Sequence, residues 1–208
     1  MKKAMARESK VTAISSIANG YFETLNQLIC DAAVTDIDGR PLTVDQGFGR
    51  VSQMGHAAHD AGNKLIFLGN GGSAGIASHL AIDFSKNGGM RSLAFNDAAA
   101  LTCLGNDLGY ENVFASQLDF HARPGDLLIA ISSSGMSQSI LRAVDTARLR
   151  GCGAVTLSGF TEDNALRLLG DVNFYIRSSS YGFVEVAHMT LCHAILDLDL
   201  GRPTPDRH

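Results

Sequence analysis

Residues Lys64 to Phe84 read KLIFLGNGGSAGIASHLAIDF, and this stretch decides the fold. Lys64 to Leu68 is a short apolar run of the kind that makes a buried parallel strand. Gly69, Gly71 and Gly72 then let the backbone turn without a Cβ clash. Ser73 is the expected N-cap of a helix from Ala74 to about Ser85. On that helix His79 and Asp83 are four residues apart, which puts both side chains on one face, within reach of a single proton, metal or substrate atom.

Outward from this unit the chain alternates β-rich runs with helical stretches. The runs are Lys64–Leu68, Arg91–Phe95, Asp126–Ile131, Ala154–Leu157 and Val172–Ile176, which predicts a five-stranded parallel sheet flanked by helices. Ligands of such a sheet bind at its carboxyl edge. Upstream, apolar residues from Val11 to Ile29 recur at helical spacing, predicting a helix from about Ser9 to Ala33. The segment Asp36 to Pro41 breaks it, and a second helix capped by Thr43 runs to about Gly62. Together they read as a helical hairpin whose apolar face is covered at a helical subunit interface. A last helix, about Phe183 to Leu200, closes the fold, and the polar tail from Gly201 is loose.

The 208 residues, 45% of them hydrophobic and 18% charged, support one filled core, so residues 1–208 are expected to form a single domain: the hairpin at about 9–62, an α/β sandwich at about 64–200 and the tail at 201–208. A formal net charge of -4 gives no general attraction to nucleic acid. No apolar stretch reaches the roughly 18 residues that span a bilayer, and the N-terminus lacks a secretory h-region, so the expected compartment is the cytoplasm. Cys30, Cys103, Cys152 and Cys192 form no CxxC pair and read as buried small hydrophobes in a reducing compartment.

GNGGSA at Gly69 to Ala74 fits G-x-G-x-x-A after a strand, and Asp97 follows the next strand where a dinucleotide fold carries its ribose-binding acid. Taken alone, this favours a dinucleotide. A second turn, Ser132, Ser133, Ser134, Gly135 and Ser137, argues against it, because hydroxyls and orphan N–H groups at a helix N-terminus make a second anion cradle. The final helix carries Glu185, His188 and His193. His79, Asp83, Glu185 and His193 offer two nitrogen and two carboxylate ligands, a zinc-like set. Along an ideal helix, however, Glu185 and His193 are about 12 Å apart, too far to meet one ion. Either the helix starts after Glu185 or two subunits contribute. His56, His59 and His121 have no comparable partners in the pattern.

Several separated motifs in one order carry a resemblance. GNGGSA with His79 and Asp83, LGNDLGYE at Leu104 to Glu111, ISSSGMS at Ile131 to Ser137 and EVAHMTLCH at Glu185 to His193 are similar to those of sugar isomerase (SIS) domain proteins, and more narrowly of phosphoheptose isomerases. The resemblance implies a flavodoxin-like three-layer sandwich, a homotetramer with active sites between subunits, a zinc ion, and isomerisation of sedoheptulose 7-phosphate to a heptose 7-phosphate. By position it places Asn70, Gly71, Gly72 and Ser73 beside the sugar, Ser132, Ser133, Ser134 and Ser137 around the phosphate, and Asp97 near the sugar hydroxyls. His79 and His193 match metal-binding histidines.

The chain departs from that pattern in three places. Asp83 stands where the family has glutamate, Glu185 where it has glutamine, and Gly182 where it usually has aspartate. The expected reaction passes through an enediol, with Asp83 and His193 moving protons and Glu185 completing the metal shell. Two rival expectations remain: a non-catalytic SIS module that binds a protein, as replication initiator-associating relatives do, and a sensor that binds a sugar phosphate at the serine turn.

Overall fold

The computed structural model describes residues 17–202. The chain begins there with a helix, α1, at 17–30; the part of the expected helix at 9–16 lies outside the described residues. Next come β1 (Ala33–Asp36), β2 (Pro41–Leu42) and α2 (Val44–Asp60). The central unit is β3 (Leu65–Gly69), α3 (Gly72–Lys86) and β4 (Ser92–Ala94). It is followed by α4 (Ala98–Leu108), α5 (Val113–His121), β5 (Leu127–Ser132), α6 (Gln138–Leu149), β6 (Gly153–Ser158), β7 (Val172–Tyr175) and α7 (Tyr181–Asp199).

The sheet has seven strands in the order β2-β1-β7-β6-β5-β3-β4. The five expected strands are there and pair in parallel from β7 to β4. All are short; the central β3 and β5 are buried along their whole length, which is what a run such as LIFLG encodes, whereas β4 at the edge is half-buried. Alternate residues divide between two cores. Leu65 and Phe67 face a layer made by α2, α3 and α7, whereas Ile66 and Leu68 face one made by α5 and α6. The result is a three-layer sandwich.

The break expected at Asp36 to Pro41 is a β-ribbon. Asp36 Oδ1 accepts from the N–H groups of Asp38 and Arg40 and closes the turn, and β1 then adds antiparallel to β7. The two expected helices are therefore joined through the sheet, and α1 stops at residue 30 because the chain is drawn into β1. α2 lies on its own sheet: a Cβ on Gly47 would come 2.8 Å from Val34 Cγ1, and the Phe48 ring is 6.0 Å from that of Phe174. The apolar face of α2 is thus largely covered here, whereas Ile17, Tyr21 and Phe22 of α1 stay exposed. Thr43 caps α2 as expected, in a capping box with Gln46, a motif whose removal costs about 1 kcal/mol.

Two local expectations are corrected. Ser73 is not the cap of α3; the helix starts two residues earlier, at Gly72 after Gly71, whose φ of 54° lies in the left-handed region that glycine enters without strain. Cys152 and Cys192 are buried as expected, but Cys30 and Cys103 are exposed, because each falls on the outward side of a helix covered by no other layer. All four are free thiols. Burial pushes the thiols of Cys152 and Cys192 up, to about 11 and about 12, so neither is a thiolate near neutrality.

Candidate active site

The carboxyl ends of β3 and β5 deliver the glycine turn and the serine turn to opposite walls of one pocket of 290 Å³. Asn70, Gly71, Gly72 and Ser73 form one wall, and Ser132, Ser133, Ser134 and Ser137 the other, with Tyr181 and Glu185 from the start of α7 alongside. Two helix N-termini, those of α3 and α6, meet this space, each bringing orphan N–H groups and the positive end of its dipole.

The serine hydroxyls differ in how they are engaged. Ser132 Oγ accepts from Gly135 N at 3.2 Å, and Ser134 Oγ from Met136 N at 3.2 Å. Ser137 caps α6 without a side-chain bond. Ser133 is 5% exposed, and its Oγ has no hydrogen-bond partner. A buried hydroxyl left unpaired costs on the order of 1–3 kcal/mol; Thr35 Oγ1, away from the pocket, is in the same state, and what sets Ser133 apart is its place in the pocket wall.

Across the pocket, Asn70 is held at both ends. Its Nδ2 donates to Ser139 Oγ at 2.9 Å, and its Oδ1 accepts from the Tyr110 hydroxyl at 2.8 Å. Glu185 lies over the glycine turn: a Cβ on Gly72 would come 2.4 Å from its Oε1. Tyr181 packs edge-on against Phe160 at 4.8 Å, and Phe160 is, among the described residues, the non-glycine residue held at a left-handed φ, 62°. That backbone is fixed from both sides, because Phe160 N donates to Ser178 O and Phe160 O accepts from the Tyr175 hydroxyl.

A second cluster lies farther along the same two helices. His79 and Asp83 on α3 meet His193 on α7, with their ligand atoms all within 4.8 Å of one another. His79 Nε2 is 3.1 Å from His193 Nε2 and 3.3 Å from Asp83 Oδ2, and His193 Nδ1 is 3.6 Å from the same carboxylate oxygen. Asp83 Oδ1 is engaged by Asn87 alone, at 3.4 Å. Two imidazole nitrogens on one tetrahedral zinc, each bonded at about 2.0–2.1 Å, would stand about 3.3 Å apart, so spacing and donor types fit such an ion with a coordination position to spare.

Glu185 does not join this cluster within one chain. α7 starts before it, at Tyr181, and continues unbroken past His193, so a rise of about 12 Å along the helix keeps the carboxylate at the glycine turn. The expectation that the helix begins after Glu185 is thereby excluded. Asp97 is also absent from the pocket: it is exposed and caps α4, its Oδ1 accepting from Ala100 N at 2.9 Å. Every other residue expected beside the sugar or the phosphate lines the pocket.

The sequence reading missed Tyr110, Tyr181 and the partner of His56. Tyr110 sits within LGNDLGYE, a motif that signalled relatedness but not a role. His56 Nε2 bonds both oxygens of Asp199 at 2.9 Å, tying α2 to the end of α7. His188 is fully buried beneath the site. Its Nε2 donates to Ser158 O at 3.1 Å, its Nδ1 has no partner, and burial lowers its pKa to about 4, so the ring is neutral and braces α7 against the end of β6.

A family model described as the SIS domain matches residues 43–159. A phosphoheptose isomerase of Chlorobium phaeobacteroides is 38% identical over 148 residues, which make up 67% of this chain and 65% of that protein. One of Citrifermentans bemidjiense is 32% identical over 147 residues, 68% of this chain and 76% of that protein. The structure of a phosphoheptose isomerase from Neisseria gonorrhoeae superposes with a TM-score of 0.76 at 24% identity, covering 89% of this chain and 99% of that one, and so shares the fold.

Proposed function

The chain belongs to the SIS-domain family and, within it, to the phosphoheptose isomerases, and from that membership we propose that it interconverts sedoheptulose 7-phosphate and a heptose 7-phosphate. The observation that carries this reading is the serine turn facing the glycine turn across one pocket, each at the N-terminus of a helix. A phosphate there takes hydrogen bonds from Ser133, Ser137 and the first N–H groups of α6, with no lysine or arginine required. The sugar then extends past Asn70 and Ser73 toward Glu185.

Isomerisation needs a proton taken from the hydroxymethyl carbon next to the ketone and returned to the former carbonyl carbon, while a second proton moves between the two oxygens. Asp83 and His193 are the proton carriers in this reading. Oδ2 of Asp83 is turned to the imidazoles, which leaves Oδ1 to receive the carbon-bound proton. A zinc ion held by His79, Asp83 and His193 would, when bound, polarise the substrate carbonyl and the adjacent hydroxyl.

Along α3 these groups lie about 9–15 Å from Ser73, so one chain does not bring both ends of its own site to one small sugar. We therefore place the active sites between subunits of a homotetramer, in which the cluster of one copy faces the pocket of another. Among the described residues no helix is long and apolar enough to cross a membrane, which accords with a cytoplasmic enzyme of sugar-phosphate metabolism. Readings as a protein-binding module or a sensor leave the shared carboxylate oxygen of Asp83 without a purpose and are not favoured by the relatives.

The test is incubation of zinc-supplemented protein with sedoheptulose 7-phosphate, followed by NMR of the anomeric protons. An aldose signal that grows with enzyme concentration is expected. Folded, metal-loaded protein that yields none would overturn the assignment.

A further inference from the structure

A second cavity, of 410 Å³, opens at the other end of β3, where the strand begins. Lys64 immediately precedes β3 and Gly69 ends it, so about 16 Å of extended chain separates this cavity from the glycine turn. Its lining combines three cations, Lys64, Arg91 and Arg123, with one acid, Asp126, and an apolar wall from Leu93, Ala94 and Phe95 at the open edge of the sheet.

The charges do not cancel. Asp126 is 1% exposed and fully engaged: Oδ1 accepts from Lys64 N at 2.9 Å, and Oδ2 from Lys64 Nζ at 2.6 Å and Arg123 N at 2.8 Å. It neutralises Lys64, whose ammonium also bonds His121 O at 2.8 Å. The guanidinium of Arg91 is held by the carbonyl of Gly62, and that of Arg123 makes no ion pair among the described residues. Both side chains are exposed. Two arginines with no carboxylate partner among the described residues thus line one cavity on a chain whose formal net charge is -4.

Guanidinium groups are planar, weakly hydrated and matched in shape to phosphate oxygens. The volume is that of a small-molecule site, and the apolar wall leaves room for a carbon skeleton beside the charged end. We infer that this cavity is a second ligand site, taking the phosphate or diphosphate group of a small metabolite on Arg91 and Arg123, apart from the serine-turn pocket. The site is built on the amino edge of the sheet, and binding there does not depend on what reaction the carboxyl edge performs.

Calorimetric titration of the whole chain with inorganic pyrophosphate at low ionic strength tests it. Two classes of site are expected in the unaltered protein. Ser133→Ala/Ser137→Ala should leave the second class untouched, whereas Arg91→Gln/Arg123→Gln should weaken it at least about tenfold, the loss expected for charge-assisted contacts. Arg123→Gln alone breaks no side-chain contact of the described residues and should shift affinity in the same direction, so misfolding at Arg91 cannot mimic the result. A single class lost in the serine variant, a second class indifferent to both arginines, or no binding at all would each overturn the inference.

Discussion

The carboxylate of Glu185 occupies the space that a side chain on Gly72 would need, 2.4 Å from the position of its Cβ. A glycine at the start of α3 and an acid at the start of α7 thus share one volume on the rim of the pocket. Gly72→Ala should fold normally, because the far end of a glutamate can swing away, but it should expel the carboxylate from the site. Displacements on the order of 1 Å can cost roughly 100-fold in rate, so we expect a kcat drop of that size with little change in Tm. Unchanged kcat would separate Glu185 from the chemistry.

Asp83→Asn and His193→Ala should each abolish turnover while leaving circular dichroism unchanged. Each should also lower the zinc retained after gel filtration, as read by metal analysis, because each removes one of three converging ligands. Turnover persisting in Asp83→Asn would move the base elsewhere.

If the site is shared between subunits, inactive variants from its two halves complement one another. Mixing Ser133→Ala/Ser137→Ala protein with His193→Ala protein under conditions that exchange subunits should restore turnover, because some interfaces then pair an intact pocket with an intact cluster. Mixtures as inactive as their components would put both halves of the site in one chain.

Tyr110→Phe removes the donor that holds Asn70 Oδ1 and frees the amide to rotate. A rise in KM of a few-fold to about tenfold, with a smaller effect on kcat, is expected from the loss of one orienting hydrogen bond. A loss confined to Tm would assign the hydroxyl to stability alone.

How far these residues could be found from sequence depended on the distance over which they interact. The central parallel strands were legible because a strand buried on both faces is apolar throughout, as LIFLG is, and the outer ones because their short β-rich runs alternate with helical stretches. The ribbon was not: AVTD and PL are too short to carry a period, and they become strands only because β7 offers an edge. His79 and Asp83 were legible from four-residue spacing. Tyr110 was not, because its partner lies 40 residues away, and the place of Glu185 was left between two alternatives because donor chemistry alone does not say which chain a carboxylate serves; the unbroken α7 removes the one in which the helix starts after it. Asp97 satisfied a spacing rule, yet a helix cap uses the same residue type.

His188 sets an acid limit on stability. Its pKa is about 4 in the folded chain against 6.5 when unfolded, so the unfolded state binds the extra proton first. The contribution is complete above pH 6.5 and is lost as pH falls from there toward 4, by an amount on the order of 3 kcal/mol. Urea unfolding at pH 7 and pH 4.5 should show this loss, and His188→Gln should flatten it. An equally steep acid dependence in that variant would assign the effect to the carboxylates.

α3 carries the glycine turn at its first residues and His79 and Asp83 farther along, with no break between them. It works as a ruler. Each residue added or removed between Ser73 and His79 would turn the cluster by about 100° and slide it by about 1.5 Å. The β1–β2 turn can change length without cost to the site, but the spacing from Ser73 to Asp83 is fixed by helical pitch, so a chain of this fold with an altered spacing there would have to give up the reaction or build it from other residues.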